Sequence, residues 1–407
     1  MIKPGPNMIY KNMLSLLGVL GMVACSPSAS DVAGKKVTAS ASAPAVAPAA
    51  IVVATATATS DAEEKVLNFN NWVDYIPESM LKDFEQETGI KVNYRTYTNN
   101  EELEKLVRAK SDSMDLVVPG LNYGQSQAAQ GYYQALNKSL LPNYKNLDPE
   151  FLKSMDISDP GHKYFVPWAW GYTTIFVNKT RVIKALGDLP YPDKEFDLVF
   201  NPTYTSRLKS CGIAYLDSPS EIIPLALHHM GINPYSQSPD DYKKASSMLK
   251  LVRKDIAKFS GKMIDVLSED KSCVAIAWSG DINTAISTLK ANGNKDDLAG
   301  LQPKIGTLLF VDGMAIPANA KHPKNAHAFM DFYLRAANAA RLPNEISFAN
   351  GNRAALEFVN ADIKSNPMVF VSPEYFSKLV PTNGYSNNAR WAMMQEYIAF
   401  AFKLENK

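Results

Sequence analysis

Apolar and polar positions follow two different periods in the first part of the predicted folded body. Residues 66–72 are a strand candidate, whereas residues 76–87 place their apolar side chains on one helical face. Pro77 falls in the first turn of this helix and Gly89 lies just past its end. Residues 91–97 return to a strand pattern. The three segments together predict a βαβ unit, in which a helix connects two parallel strands.

The alternation of strand and helix continues toward the C-terminal end. Residues 115–119 predict a buried strand that is followed by a turn and a helix. Further strands are predicted at residues 174–178, 272–278 and 305–316, and helices at residues 240–259, 281–291 and 323–341. This order predicts an α/β fold with parallel sheets, and about 343 folded residues favour two lobes.

The N-terminal segment has the pattern of an export signal. Lys3 and Lys11 precede a short apolar stretch at residues 13–24, which ends at Cys25. The stretch resembles the lipobox of bacterial lipoproteins, although Met22 stands where leucine is usual, and this resemblance implies lipidation of Cys25. An ordinary signal peptide cut nearby, or an uncleaved anchor, is the alternative. Residues 26–64 are rich in Ala, Ser, Thr and Pro, which predicts a disordered tether.

Composition and motifs exclude several classes of function. Forty-two basic and 41 acidic residues give a net charge of +1, which argues against binding nucleic acid by neutralising its phosphates. The sequence contains no nucleophile elbow, Walker A loop, dinucleotide fingerprint or H-E-x-x-H motif. We therefore expect a protein that is not an enzyme and that holds no cofactor.

The cysteines point to an oxidising compartment. Apart from Cys25, only Cys211 and Cys273 are present, 62 positions apart. In an exported protein such a pair most simply forms one disulfide, and two buried free thiols are the alternative. Two cysteines and five histidines offer little for a zinc site, so we expect no metal.

Aromatic and acidic residues are concentrated at the ends of the predicted strands. Trp72 and Asp74 follow the first strand, Trp278 and Asp281 follow a later one, and Asp312 interrupts an otherwise apolar strand. Ligands of parallel sheets bind beyond the carboxyl ends of strands. Because aromatic faces hold alkyl or ammonium groups and carboxylates hold positive charge, the pattern predicts a small cationic ligand with an apolar body.

The sequence resembles the periplasmic polyamine-binding proteins of ABC importers, the putrescine and spermidine receptors among the solute-binding proteins. The resemblance extends over residues 65–407 and is carried by motifs in a matching order. These are NWVDYI (71–76), FEQETGIKV (84–92), DLVVP (115–119), LNKS (136–139), NLDP (146–149), SCG (210–212), CVAIAWSGD (273–281), AIPANAK (315–321) and FANGNRAA (348–355). It implies a two-lobed, hinged fold in which each lobe is a mostly parallel sheet flanked by helices.

The resemblance also implies a ligand site. Its aromatic wall would be Trp72, Trp278 and Phe310; Asp74 and Asp312 would hold one ammonium group, and Glu221 and Asp281 the other end or the middle. Tyr75, the turn at Gly120 and Phe348 would complete the lining. Val73, Gly120 and Phe348 depart from the usual Ser or Thr, Ser and Tyr, so this pocket is expected to be less polar. Each residue also has an ordinary alternative: Asp74 and Asp281 as helix caps, Glu221 as a solvated acid, and Trp72 and Trp278 as core.

The resemblance places residues 65–172 and about 307–341 in one lobe, and residues 173–306 and about 342–407 in the other. It implies a monomer in the periplasm of a Gram-negative bacterium, tethered only by its N-terminal lipid. The partners would be an ABC permease in the membrane and its ATPase. A same-fold receptor for another cationic amine, or a ligand sensor, is the alternative.

Overall fold

Three parallel strands near the start of the described chain form the first sheet. The computed structural model describes residues 63–110 and 113–402, so the predicted signal peptide, Cys25 and nearly all of the predicted tether lie outside it. Within these ranges the strands are β1 Val66–Trp72, β2 Lys91–Tyr97, β3 Leu116–Val117, β4 Val166–Asn178, β5 Ile213–Leu216, β6 Lys258–Ser260, β7 Val274–Trp278, β8 Leu298–Gly300 and β9 Leu308–Met314.

The helices lie mostly between these strands. In chain order they are α1 Glu78–Thr88, α2 Asn100–Arg108, α3 Leu121–Ala129, α4 Pro149–Ser154, α5 Lys179–Leu186, α6 Asp197–Phe200, α7 Pro202–Leu208, α8 Pro219–His229, α9 Pro239–Val252, α10 Met263–Ser268, α11 Ser279–Ala291, α12 Pro323–Leu334, α13 Ala336–Ala339, α14 Ala361–Lys364, α15 Pro373–Phe376 and α16 Asn387–Ala401.

The predicted βαβ unit is present as β1, α1 and β2. Strand β1 lies between β2 and β3, and both pairings are parallel, with Phe69 opposite Leu116. Helix α1 begins after Pro77 and ends at Gly89, whose φ of 68° is the left-handed conformation that glycine adopts without steric cost. The helix buries Met80 and Phe84. We call this sheet and the helices α1–α3 the first lobe.

The second sheet has the strand order β6-β5-β7-β4-β8, and β9 also pairs with β4. Strand β5 is parallel to β6 and β7, whereas β4 is antiparallel to β7, β8 and β9. The α/β two-lobed fold is confirmed, and this sheet is mixed rather than purely parallel. The difference was hidden because an apolar run buried on both faces has the same pattern in either direction. We call this sheet with α8, α9, α11 and α16 the second lobe.

Strands β4 and β9 connect the two lobes. The first half of β4 pairs with β9, from Val166 opposite Met314 to Thr173 opposite Leu308, and its second half pairs with β7. The far end of β9 reaches the first lobe through a bridge between Gly120 and Asp312. The sequence predicted only residues 174–178 of β4, because the Pro, Trp and Gly residues before them interrupt a strand pattern.

Two predicted helices end earlier than expected. The helix predicted at residues 240–259 is α9, which ends at Val252, and Phe259 lies in the short edge strand β6. The helix predicted at residues 323–341 divides into α12 and α13 at Arg335, whose φ of −62° and ψ of 133° are extended. In both places apolar residues continue past the break, so the periodicity alone did not mark it.

The predicted disulfide is confirmed. Cys211 and Cys273 are joined, with their Cα atoms 5.5 Å apart. Cys211 precedes β5 and Cys273 directly precedes β7, so the bond connects the starts of two neighbouring parallel strands. Such a bond stabilises the fold by restricting the unfolded chain.

Candidate functional site

One cleft lies where the ends of β1, β3 and β7 meet β9. Nine of the ten sequence-predicted site residues line it, and its empty volume, which includes space open to solvent, is about 430 Å³. The nine are Trp72, Tyr75, Gly120, Glu221, Trp278, Asp281, Phe310, Asp312 and Phe348. Val73, Asn100 and Asn122 complete the lining, so these described walls contain no lysine, arginine or histidine.

Aromatic rings from both lobes form the apolar walls. Trp72 at the end of β1 and Trp278 at the end of β7 meet edge to face, with ring centroids 5.7 Å apart. The Trp72 indole N–H donates to the carbonyl of Val118 at 2.8 Å, which fixes the orientation of the ring. Tyr75 and Phe348 also meet edge to face, at 4.7 Å. These contacts hold the rings in place around the cavity.

Three buried carboxyl groups come to the cleft from three different elements. Asp312 on β9 accepts a hydrogen bond of 2.8 Å from the Tyr75 hydroxyl. Glu221, in the first turn of α8, accepts one from the Thr173 hydroxyl. Asp281 lies in the first turn of α11, and it is not the cap of that helix. All three side chains belong to residues that are less than a tenth exposed.

Burial changes the protonation of these groups. Loss of solvation raises the pKa of Glu221 to about 8, and the Thr173 hydrogen bond opposes this shift. Burial, with a smaller contribution from Asp74, raises the pKa of Asp281 to about 8. Burial raises the pKa of Asp312 to about 7, against the hydrogen bond from Tyr75. Near neutral pH the empty cleft therefore retains protons on its acids, and a bound cation would take their place.

The tenth predicted residue, Asp74, lies outside this lining. It is exposed and has a φ of 53°, a conformation that aspartate tolerates better than most residues. Burial and the charge of Asp265 raise the pKa of Asp74, and Lys262 opposes this shift. It is not the cap of α1, whose N-cap residue is Pro77. Its contact with a ligand stays a prediction.

The other alternative roles are decided by burial and position. Glu221 is 7% exposed and so is not a solvated acid. Trp168 is fully buried and stacks near Tyr333, at 4.5 Å between ring centroids. Trp170 is half-buried beside Phe151. Trp168 and Trp170 are therefore outside the lining, whereas Trp72 and Trp278 belong to it.

Asn100 and Asn122 are lining residues that the sequence did not reveal. Each lies within the first two residues of a helix, α2 or α3, where asparagine ordinarily serves the helix start. The true cap of α2 is the neighbouring Asn99, whose side chain accepts from the Glu102 N–H. The adjacent asparagines Asn99 and Asn100 were the one sign in the sequence that Asn100 has another role, because a helix cap uses only one asparagine side chain.

The two asparagines fill the space beside Gly120. The Asn100 Oδ1 accepts the Gly120 N–H at 2.9 Å, and the Asn122 Oδ1 accepts the Tyr123 N–H at 3.0 Å. A Cβ atom added to Gly120 would lie 2.8 Å from the Asn100 Nδ2 and 2.8 Å from the Asn122 Oδ1. Close packing therefore requires glycine at position 120. The side-chain amides of Asn100 and Asn122 supply the polar groups that a larger side chain at this position would otherwise contribute.

We expect Gly120→Ser to destabilise the protein by about 1–3 kcal/mol, because the new side chain must displace a buried, hydrogen-bonded amide. The thermal midpoint measures this loss. Adding Asn122→Ala should recover part of it, since one of the two obstructing side chains is then gone. An unchanged midpoint in Gly120→Ser would contradict the packing argument.

Residues 63–110 and 113–402 offer neither a metal site nor a membrane span. This part of the chain contains no group of three or more His, Cys, Asp or Glu side chains placed to hold a metal ion. In the same ranges, every helix is too short or too polar to cross a bilayer.

Comparison with known families identifies the fold and its class of function. The sequence model described as "Bacterial extracellular solute-binding protein" matches residues 79–371. The chain belongs to this family. As a bacterial extracellular solute-binding protein it is a binding component and not an enzyme, which confirms the expectation from its motifs.

Individual relatives of this solute-binding protein are similar over most of their length. The chain is 39% identical to the putrescine-binding periplasmic protein SpuD of Pseudomonas aeruginosa, over 78% of this chain and 87% of that protein. It is 38% identical to the putrescine-binding periplasmic protein PotF of Escherichia coli, over 78% of this chain and 86% of that protein. A solved structure from Listeria monocytogenes, assigned provisionally to a spermidine/putrescine ABC transporter, is 28% identical with a TM-score of 0.73, covering 84% of this chain and 100% of that one.

Proposed function

We propose that this solute-binding protein holds a polyamine in the cleft between its lobes and delivers it to an ABC permease for uptake. The observation that carries the proposal is the set of three buried carboxyl groups, Glu221, Asp281 and Asp312, in a described lining without a basic side chain. Buried acids of this kind are costly unless a positive charge joins them. A polyamine supplies two or more such charges on an apolar chain.

The geometry suggests a role for each wall. Trp72, Trp278 and Phe310 would enclose the alkyl chain, because aromatic faces attract both methylene and ammonium groups. Asp312, oriented by the Tyr75 hydroxyl, would bind one ammonium group. Glu221 and Asp281, from the second lobe, would bind the other end or the middle. Asp74 would act at the rim, where its charge reaches Asp281.

The names of the two relatives at 38–39% identity favour putrescine as the ligand to test first. The lining departs from the family pattern at Val73, Gly120 and Phe348, which lack hydroxyl groups, while Asn100 and Asn122 add amides. We infer that the diamine is retained and that the polar contacts around it are redistributed. The ligand would close the hinge by binding the closed form better than the open form.

Transport requires partners that this chain does not itself supply. The delivery complex would contain a permease in the membrane and an ATPase on its far side. The relatives' names support a periplasmic location. Lipidation of Cys25 would tether a monomer to the membrane surface through residues 26–64.

The test is isothermal titration of the protein with putrescine, cadaverine, spermidine and spermine, after unfolding and refolding to remove carried ligand. Binding at micromolar concentration or tighter, about −8 kcal/mol or better, is the expected result for putrescine. Absence of heat with all four would reject the polyamine and leave a receptor for another small cationic amine, because the acidic lining would still demand a cation.

A further inference from the structure

Helix α2 of the first lobe carries two largely buried acidic residues that lie outside the lining of the ligand cleft. Glu101 and Glu104 are three positions apart and so lie on one face of the helix. Glu101 is 6% exposed and the Glu104 side chain is 12% exposed, although neither lines the cleft. Acids are rarely buried to this extent without a partner, so their surroundings should explain them.

Glu104 has two basic partners: Arg108 of the same helix, whose Nε lies 3.0 Å from the Glu104 Oε1, and Arg390 on α16 of the second lobe. The Arg390 Nη2 lies 3.0 Å from the Glu104 Oε1, and its Nη1 donates to the Ser126 hydroxyl on α3 at 2.6 Å. The guanidinium also stacks over the Tyr123 ring, 4.8 Å from its centroid. Arg390 is only 3% exposed, so a side chain of one lobe is inserted into the other. Arginine suits such a site because its planar group can stack and bind two acceptors at once.

Glu101 has its hydrogen-bond partner within the first lobe. The Tyr123 hydroxyl donates to the Glu101 Oε1 at 2.8 Å, whereas the Glu101 Oε2 is buried without a hydrogen-bond partner among the described residues. Burial raises the pKa of Glu101, and the Tyr123 hydrogen bond is the largest contribution that opposes this shift. Because the Arg390 guanidinium lies over the Tyr123 ring, Glu101 helps to position the ring on which that guanidinium rests.

A weaker contact between the same two lobes joins the end of α3 to α16, beside the Glu104–Arg390 pair. The amides of Gln130 and Asn387 exchange hydrogen bonds of 3.4 Å, and Asn387 also accepts from Arg390. The contacts of Arg390 with Glu104, Tyr123 and Ser126, and that of Asn387 with Gln130, join different lobes and are separated by more than 250 residues in the chain. These contacts between the lobes can exist only when the lobes are together, because opening the hinge would separate them.

We propose that Glu104 of α2 and Arg390 of α16, with Tyr123 and Ser126 of α3, form a closure latch that sets polyamine affinity without touching the ligand. The proposal rests on the proposed function. In the open form the same charged groups are solvated, so removing a latch charge penalises the closed form alone. Apparent affinity is the intrinsic affinity multiplied by the fraction of protein that can close, and it falls with that fraction. The latch residues are therefore positioning residues for binding.

The test compares Glu104→Gln with Glu102→Gln in the full protein, with putrescine as the probe. Glu102 is an exposed residue of the same helix. Its carboxylate accepts hydrogen bonds from the Thr98 N–H and hydroxyl within the first lobe, which a glutamine oxygen can also accept, so its variant removes the same charge outside the latch. We expect Glu104→Gln to raise the Kd about tenfold, through faster dissociation and with little change in association. Glu102→Gln should stay within about twofold of the unmodified protein, because surface charges contribute little.

Two further measurements separate a latch from a general loss of structure. Arg390→Gln should weaken binding as Glu104→Gln does, and the double variant should be no worse than the poorer single variant, since the pair acts as one unit. Equal thermal midpoints of Glu104→Gln and Glu102→Gln would show that the fold is intact. Unchanged dissociation in Glu104→Gln, or an equal effect of Glu102→Gln, would overturn the latch.

The latch can also be tested if the ligand assignment fails. Were the unmodified protein to bind no polyamine, the proposed function would be rejected, and small-angle X-ray scattering of the ligand-free chains would still measure the hinge. We expect Glu104→Gln to shift the scattering toward a more extended form than Glu102→Gln. Identical scattering curves for the two variants would reject the latch independently of any ligand.

Discussion

Replacing Asp281 and Asp312 together with asparagine is expected to reduce the affinity for putrescine by about 100- to 10,000-fold. The two residues come from different lobes, on α11 and β9, and each presents a buried carboxyl group to the cleft. A hydrogen bond to a charged group contributes about 1.5–3 kcal/mol, so losing two costs about 3–6 kcal/mol. Isothermal titration of the double variant beside the unmodified protein measures this loss.

The stability of the same double variant distinguishes a lost site from a damaged fold. Burial raises the pKa of Asp281 to about 8 and of Asp312 to about 7, so at pH 8.5 both groups are ionised at a cost to the folded chain. Asparagine removes this cost, and the ligand-free variant should unfold no earlier than the unmodified protein at pH 8.5. Full affinity in the double variant would refute the proposed ligand site.

A charge-matched control uses two exposed acids. Asp188→Asn with Asp240→Asn also removes two negative charges, from side chains that are 89% and 78% exposed. Because their ion pairs with Arg207 and Lys243 are at the surface, they contribute little. Putrescine affinity in this control should stay within about twofold of the unmodified value.

Residues close together in the chain were predicted most accurately. The bounds of β1 and β2 agree with the predicted strands, and α1 ends before Gly89, whose positive φ glycine accepts without strain. The position of aromatic and acidic residues at the ends of strands predicted where a ligand would bind. That Trp72 and Trp278 share one wall followed only from the family resemblance, because they end strands of two different sheets, and their rings meet at 5.7 Å.

Features that depend on long-range pairing could not be predicted in the same way. The apolar run of β4 is compatible with parallel or antiparallel neighbours, and only its partners β7 and β9 decide the direction. Asn100 and Asn122 resemble ordinary helix-start residues until Gly120 is seen between them. Arg390 and Glu104 are 286 positions apart on the helices α16 and α2, where each would be predicted as a solvated charge.

Putrescine binding is expected to strengthen as the pH rises from about 6 to 8, by about ten- to a hundredfold per pH unit. In the empty, folded chain Glu221 and Asp281 have a pKa of about 8 and Asp312 of about 7, so they are largely protonated at pH 6. An alkylammonium group, with an ordinary pKa near 10.4, stays charged throughout this range. The dication must therefore displace about one or two protons, and each proton released changes affinity about tenfold per pH unit.

Stability without ligand should change in the opposite direction. The ordinary pKa values of these carboxyls are 3.8 and 4.5, so between about pH 4 and 8 the folded chain binds more protons than the unfolded chain. Stability then falls as the pH rises, because deprotonation favours the state that binds fewer protons. The shift in thermal midpoint on adding putrescine should accordingly be larger at pH 8.5 than at pH 6, since the ligand neutralises the charge that destabilises the empty cleft.

The proton balance can be measured directly by titrating at pH 6.5 in two buffers of different ionisation enthalpy. The difference in heat should correspond to about one or two protons released per putrescine, and it should approach zero at pH 9, where the cleft acids are already ionised. The exposed-charge control, Asp188→Asn with Asp240→Asn, should show the same release as the unmodified protein. Equal heats in the two buffers and an affinity independent of pH would mean that Glu221, Asp281 and Asp312 are ionised before the ligand arrives. The cleft would then be a preformed anionic site, and burial would not couple ligand binding to proton release.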